Sequence, residues 1–267
     1  MRIGIFGCSG RMGRMLVAAV LETPGSVLAG GVERPGSEAV GQDLGSLAHH
    51  APVGRTVGDD PRALFEASDV VIDFSSPAVT ADNAALAVET GKGLVVGTTG
   101  LGPEHLSSLS AAAKHVPVVQ APNMSLGITL LLDLVEQMAR LLNERCDIEI
   151  LEMHHRHKVD APSGTALALG RAAALGRGVD LDEVARRVRD GITGPRGMGD
   201  IGFATLRGGN VVGEHTVIFA DDDERIEITH KATSRLIFAR GALHAALWTE
   251  GRPPGLYSMR DVLGLTR

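Results

Sequence analysis

Residues 3–33 read IGIFGCSGRMGRMLVAAVLETPGSVLAGGVE, and this stretch decides the fold. Ile3 to Phe6 is an apolar run short enough for a buried strand. Gly7, Cys8, Ser9, Gly10, Arg11, Met12 and Gly13 follow as a G-x-x-G-x-x-G turn. Met12, Leu16, Ala19 and Val20 then recur on one face of a helix. Val27 to Glu33 is the next strand, and its closing acid stands twenty positions after Gly13. Strand, glycine turn, helix, strand and acid at these distances form a βαβ unit suited to a dinucleotide. The glycines let a pyrophosphate approach backbone N–H groups at a helix start. Glu33 suits free ribose hydroxyls, and Arg34 beside it reaches a 2′-phosphate, so the pair admits NADH or NADPH. The competing reading is an ordinary glycine-rich turn, since the spacing departs from G-x-G-x-x-G.

The alternation continues over about the first 120 residues. Asp69–Phe74, Gly93–Gly97 and Val116–Gln120 read as further buried strands, with helices over Ala78–Glu89 and Pro103–His115. Pro35–Arg55 reads as a loop carrying a surface pair, His49 and His50. In open α/β sheets ligands bind at the carboxyl ends of strands. Two such ends carry small-residue loops: Gly97, Thr98, Thr99 and Gly100, then Ala121, Pro122, Asn123, Met124 and Ser125. The first would let backbone approach a nicotinamide; a plain turn is the alternative for both.

After a long apolar helix, Leu126–Leu142, the texture changes. Asp147–Met153 alternates Ile148 and Ile150 with charges and delivers EMHHRHKVDAPSGTAL, residues 152–167. His154, His155, Arg156, His157 and Lys158 all carry or accept protons. Such a run is disfavoured as packing, because clustered cations repel and resist burial. Pro162, Ser163, Gly164 and Thr165 then open a helix, which offers N–H groups and a positive dipole end to an anion. Proton donors ahead of an anion cradle suit a carboxylate substrate. A solvated basic turn is the bland alternative. Zinc is a poor third, because HHxH lacks a tetrahedral spacing and Lys158 repels a metal. Further on, residues 191–200, GITGPRGMGD, form a glycine-rich loop that could move over a ligand. Ile201–Leu206, Asn210–Phe219 and Arg225–His230 read as antiparallel strands, with a solvated turn at Asp221–Glu224. Ser234 starts an amphipathic helix, with Leu236, Ala239, Leu243 and Leu247 on one face.

The expected fold class is α/β: a Rossmann-like parallel sheet domain plus a second α+β substrate domain with an open, mainly antiparallel sheet. The boundaries place the dinucleotide domain at 1–124 and 234–267, and the substrate and oligomerisation domain at 125–233. Composition agrees, with 44% hydrophobic and 22% charged residues over 267 positions. A net charge of −6 argues against nucleic acid as a partner. Two cysteines indicate no disulfide framework, and no apolar run spans a membrane. The chain starts at Met1 with no room for a signal peptide before the first strand, which points to the cytoplasm.

GCSGRMG (7–13), GTTG (97–100), APNMS (121–125), EMHHRHKVDAPSGTAL (152–167), HKATSRLIFARGALHAALW (230–248) and YSMRDVLGL (257–265) together resemble the 4-hydroxy-tetrahydrodipicolinate reductases, the older dihydrodipicolinate reductases. The resemblance spans essentially the whole chain. It implies reduction of a small cyclic dicarboxylate by NADH or NADPH in lysine and diaminopimelate synthesis. It further implies a cytoplasmic homotetramer built through the substrate-domain sheet. By motif position His154 matches the family's proton donor and Lys158 its second donor, while His155, Gly164 and Thr165 match substrate positions. Gly7 to Met12, Glu33, Arg34, Gly97 to Thr99 and Ala121 to Met124 match cofactor positions. Ser76 stands where the family often carries a cofactor-binding Arg. Two other classes remain open: a related dehydrogenase, such as one acting on a semialdehyde, and a nicotinamide-sensing regulator. The HHRHK run counts against the first, and the lack of a basic recognition helix against the second.

Overall fold

Short runs of Val, Ile and Leu become strands, and the alanine-rich segments between them become helices. The computed structural model of the chain describes residues 1–265, with Asn143 described by its backbone only; residues 266–267 of the expected 234–267 segment lie outside it. In order come β1 (Arg2–Phe6), α1 (Arg11–Glu22), β2 (Val27–Val32), α2 (Leu44–Leu47), β3 (Val57–Gly58), α3 (Pro61–Ala67), β4 (Val70–Asp73), α4 (Thr80–Thr90), β5 (Gly93–Val96), α5 (Pro103–Ala112) and β6 (Pro117–Gln120). The stretch read as a loop, Pro35–Arg55, thus holds one short helix. Asp43 starts it by accepting the Ser46 N–H at 3.0 Å.

The chain then builds α6 (Leu126–Leu142), β7 (Asp147–His154), α7 (Gly164–Arg177), α8 (Leu181–Val184), β8 (Ala185–Arg186), β9 (Ile201–Arg207), β10 (Gly213–Ala220) and β11 (Arg225–Ala232). It closes with α9 (Leu236–Trp248), β12 (Gly255–Tyr257) and α10 (Met259–Val262). Two compact units result: Met1–Leu126 with Leu236–Arg267, and Gly127–Arg235.

The first unit carries a sheet in the order β12-β6-β5-β4-β1-β2-β3, with every ladder parallel. Its central strands are buried on both faces, as crossover helices require. Ile3, Ile5, Ile72 and Val95 pack on one side with α1 and α9. Val71, Leu94 and Val96 pack on the other with α3, α4 and α5. The one-faced pattern expected of the last long helix is corrected. Ala239, Gly241, Ala242, Leu243, Ala245 and Ala246 of α9 are all buried, while Leu236 and Leu247 are only partly so. The helix is wedged against α1, β4 and β5, and its small residues allow that approach. At Gly241 a Cβ would fall 1.7 Å from the Met124 carbonyl oxygen.

The second unit's sheet runs β11-β10-β7-β9-β8. β10 is antiparallel to both β7 and β11, with Asp221 and Glu224 closing the hairpin between β10 and β11. Here the antiparallel reading of Ile201–Leu206 is corrected: β9 lies parallel to β7. α7 lies between these strands in sequence, so the connection is a crossover and returns the chain in the same direction. One face of the sheet is apolar at its start, through Ile148, Ile150, Val217 and Phe219. The same face turns polar at the end of β7, where Glu152 and His154 continue the alternation.

The glycine-rich loop 191–200 does not lie at that polar end. Arg196 fixes it to the opposite end of β7, donating to Asp147 at 2.6 Å, Glu149 at 3.0 Å and the Ile148 carbonyl at 3.1 Å. Arg189 binds both Glu149 oxygens at 2.7 and 2.8 Å. Eight strand residues place this anchor roughly 20 Å from His154 within the unit. The loop that could move over a ligand is therefore strapped to the far end of the sheet's central strand.

Candidate active site

In the first unit a cavity of about 490 Å³ opens at the ends of β1, β2 and β4, lined among others by Gly7, Ser9, Gly10, Glu33, Arg34 and Ser76. Gly7 turns the chain at φ +66°. Its N–H and that of Cys8 go to the Val32 carbonyl, at 3.0 and 3.5 Å. A Cβ at Gly13 would lie 2.0 Å from the Gly7 oxygen, so the turn closes only with glycine there. α1 starts at Gly10 with no side-chain cap, and first-turn N–H groups such as those of Arg11 and Met12 are of the kind that can receive an anion. Ser9 donates to Glu33 Oε1 through its N–H at 2.8 Å and its hydroxyl at 2.7 Å. Neither bond uses the second carboxylate oxygen. A glycine-backed cradle with a carboxylate at the neighbouring strand end fits a dinucleotide. Cys8 stands behind it, fully buried against Gly31 and Leu44. Burial, with the Glu33 charge adding, pushes its thiol up to about 12, so it packs and does not react.

The two small-residue loops divide between packing and access. Gly97 lies under the Phe74 ring, where a Cβ would come 2.1 Å from Cζ. Thr98 is buried and bonds Asp73 at 3.3 Å, whereas Thr99 is exposed. Ala121 donates to Val96 at 3.2 Å, Asn123 accepts the Ser125 N–H at 2.9 Å, and Met124 is in the core. Pro122 is exposed.

In the second unit the basic run splits. His154 is 8% exposed, which counts against the solvated-turn alternative at this residue. Arg156 and His157 are outside, and His155 and Lys158 are half-buried. Strand alternation causes the split, since His154 shares the inward parity of Ile148, Ile150 and Glu152. His154 Nδ1 is 2.6 Å from Glu152 Oε2. Arg207, opposite on β9, grips the same carboxylate at 2.8 and 3.0 Å. Glu152 Oε1 also accepts the Ser163 N–H at 2.9 Å. Burial pushes the Glu152 carboxyl up, but Arg207, His154 and the Ser163 N–H together hold it below its ordinary value. Gly213 leaves room beside the other His154 nitrogen; a Cβ there would be 2.9 Å from Nε2.

Ser163 caps α7, its hydroxyl accepting the Ala166 N–H at 3.1 Å. That hydroxyl is also 3.1 Å from His215 Nε2. The His215 ring meets the His154 ring edge-on, centroids 5.0 Å apart. Burial, helped by the His154 charge, lowers His215 to about 4, so it stays neutral near pH 7. Lys158 pairs with Asp160 at 2.8 Å and holds that carboxyl below its ordinary value. Burial first, then Arg235 and the neighbouring cations, lower His155.

His154, the cations and the first turn of α7 with Gly164 and Thr165 thus gather at one end of β7. Three participants were given no role from the sequence, Glu152, Arg207 and His215; Ser163, read there as part of a helix start, also ties that start to Glu152. Glu152 and His215 were detectable as polar residues on the apolar parity of their strands. Arg207 had no local signal. Among the described residues no group of three or more His, Cys, Asp or Glu is placed to hold a metal ion.

Comparison with known proteins matches both units. The family described as Dihydrodipicolinate reductase, N-terminus matches residues 1–124, and Dihydrodipicolinate reductase, C-terminus matches 127–263. A 4-hydroxy-tetrahydrodipicolinate reductase of Afipia carboxidovorans is 57% identical over 265 residues, covering 99% of this chain and 97% of the relative. One from Cereibacter sphaeroides is 56% identical over 263 residues, covering 98% of each. In fold, a dipicolinate-bound dihydrodipicolinate reductase from Paenisporosarcina sp. TG-14 aligns with TM-score 0.77 at 21% identity over 98% of both chains. With two family matches end to end and relatives above half identity over nearly all of its length, the chain belongs to the dihydrodipicolinate reductase family.

Proposed function

We propose that the chain reduces 4-hydroxy-tetrahydrodipicolinate to tetrahydrodipicolinate with NADH or NADPH, in lysine and diaminopimelate synthesis. The observation that carries this reading is the buried His154 beside Lys158 and the α7 start, within a chain of net charge −6. A dianionic substrate needs such a local reversal of charge.

The turn Gly7–Met12 and Glu33 would hold the dinucleotide, with Arg34 meeting a 2′-phosphate and Gly97–Thr99 and Ala121–Met124 flanking the nicotinamide. When bound, the reduced nicotinamide supplies a hydride. Lys158 neutralises a substrate carboxylate, and His155, Gly164 and Thr165 hydrogen-bond it. Loss of the 4-hydroxyl as water leaves a conjugated imine, and hydride addition to that imine leaves negative charge on a ring carbon. His154 delivers the proton there from Nε2, and Lys158 assists by drawing charge toward the carboxylate. Work in the cytoplasm as a homotetramer completes the proposal. In its favour, β11 is exposed along most of its length, and no helix among the described residues is long and apolar enough to cross a membrane.

Following NADH or NADPH loss with freshly coupled dihydrodipicolinate synthase product tests the activity. His154→Gln should lower kcat about 10²- to 10⁴-fold with NADH affinity nearly intact. Lys158→Ala should lower kcat and raise KM, while His157→Ala, at an exposed position, should do less. Near wild-type kcat in His154→Gln would withdraw its role as proton donor.

A further inference from the structure

One carboxylate touches both halves of the substrate site in the second unit. Glu152 is 1% exposed and makes its contacts with two different oxygens. Oε2 meets His154 Nδ1 at 2.6 Å and Arg207 Nη1 at 2.8 Å. Oε1 accepts the Ser163 N–H at 2.9 Å and Arg207 Nη2 at 3.0 Å, with the Thr205 hydroxyl at 3.5 Å. Ser163 is the residue on which α7 starts.

From this juxtaposition we propose that Glu152 is a positioning residue for the reduction. It locks the proton donor and the carboxylate cradle into one register and makes Nε2 the reacting nitrogen of His154. The inference rests on His154 being the proton donor. The physical argument has two steps. A carboxylate accepts only, so His154 Nδ1 carries a proton toward Glu152 whenever that carboxylate is ionised. Neutral His154 then has Nε2 bare, and protonated His154 has its transferable proton on Nε2, beside the space that Gly213 leaves. The same negative charge stabilises the imidazolium form, which is the acid the reaction consumes. Arg207 makes this durable by holding Glu152 charged in a place where burial opposes it.

The other charged and titratable groups around His154 oppose or dilute that effect. His215 faces it from β10, Arg207 from β9, and Lys158 with Asp160 from the loop before α7, with His155 next along the chain. Arg207 and Lys158 disfavour the imidazolium, so Glu152 is the close negative charge that offsets them. Removing it should therefore move the ionisation of His154 downward.

The test uses the full-length protein. Glu152→Gln keeps the shape but loses the charge. It should lower kcat about 10- to 100-fold and move the alkaline limb of the kcat profile about one pH unit down, a tenfold loss of proton affinity. Glu152→Asp keeps the charge on a shorter arm, so its limb should return toward wild type although kcat stays reduced. A limb that remains in place in Glu152→Gln overturns the proposal, because a merely structural loss lowers the rate at all pH values alike. In case Glu152→Gln fails to fold, ¹⁵N-histidine NMR of the wild-type protein reads the tautomer directly. Neutral His154 should carry its proton on Nδ1; a proton on Nε2 overturns the proposal. A near wild-type kcat in His154→Gln would instead remove the proton-donor reading, and the positioning role with it.

Discussion

β4 ends at a buried carboxylate and β7 carries one two residues before its end, and the two are surrounded by opposite kinds of partner. Asp73 receives the Ser75 N–H and hydroxyl, the Asn83 amide at 2.9 Å and the Thr98 hydroxyl at 3.3 Å. All are neutral, and they come from three segments around the end of the first sheet that carries the cavity. Glu152 meets a guanidinium, an imidazole and one N–H. Neutral donors fix the shape of loops and leave them indifferent to pH. Cationic and titratable partners fix charge as well as shape, and that charge changes with pH. The comparison teaches that burying a carboxylate near a strand end is a general way to hold a site. The chemistry comes from what is brought to meet it.

Acid should expose the difference most. His215, behind Glu152 and His154, is lowered from 6.5 to about 4. Above pH 6.5 it is neutral in the folded and unfolded chain alike, so it contributes nothing. Between 6.5 and about 4 the unfolded chain binds a proton that the folded one refuses, so stability falls across that window and levels off below it. The full displacement corresponds to about 3 kcal/mol. His230, opposite His215 on β11 and lowered by burial, adds to the same slope. Denaturant midpoints at pH 7 and pH 4.5 should show wild type losing more stability than His215→Gln. Equal losses would mean that the second unit is no more titratable than the first.

Asp73→Asn is the matching cut in the other region. Its amide NH₂ would face donors instead of accepting from them, at a cost of about 2 kcal/mol. Cofactor affinity should fall about tenfold through the loosened Ser75 and Thr98 loops. The pH profile of kcat should stay where it is, because no titratable partner is touched. A moved profile would break the contrast with Glu152.

What the sequence disclosed follows from how local each signal is. The βαβ unit was legible because strand, turn, helix and acid lie within 33 residues. His154 and Lys158 were legible because they stand in one run. Arg207 was not, since it reaches Glu152 across 55 positions, through pairing of β7 with β9. The direction of β9 was hidden for the same reason: alternation tells which face a residue takes and not which way its strand runs. The strap at 191–200 was misread because glycines report a permissive backbone, while its location is set by Arg196. In α9 the large residues suggested one stripe, whereas the buried surface is made by small ones that let neighbours close in.

The smallest effect concerns the cavity end of the first sheet, where Asp73 shapes the site without choosing the ligand. Ser76 shares the cavity with Glu33 and Arg34. Its hydroxyl accepts the Ala78 N–H at 3.3 Å, a weak cap whose loss costs roughly 0.5 kcal/mol. The position is exposed, so Ser76→Arg should fold. With Glu33 and Arg34 as they stand, NADH and NADPH should bind within about tenfold of each other, or 1.4 kcal/mol. A second guanidinium near a 2′-phosphate should add about 1 kcal/mol, which is roughly fivefold for NADPH. NADH lacks that phosphate and should change less than about twofold by the same arithmetic. The gain should shrink as salt is raised from 0.1 to about 0.5 M, since exposed charges are screened within a few ångströms there. Titration calorimetry of both cofactors at the two salt concentrations decides it. An equal gain for NADH would make the added charge a general attractor. No gain for NADPH would leave Arg34 as the residue that meets the phosphate.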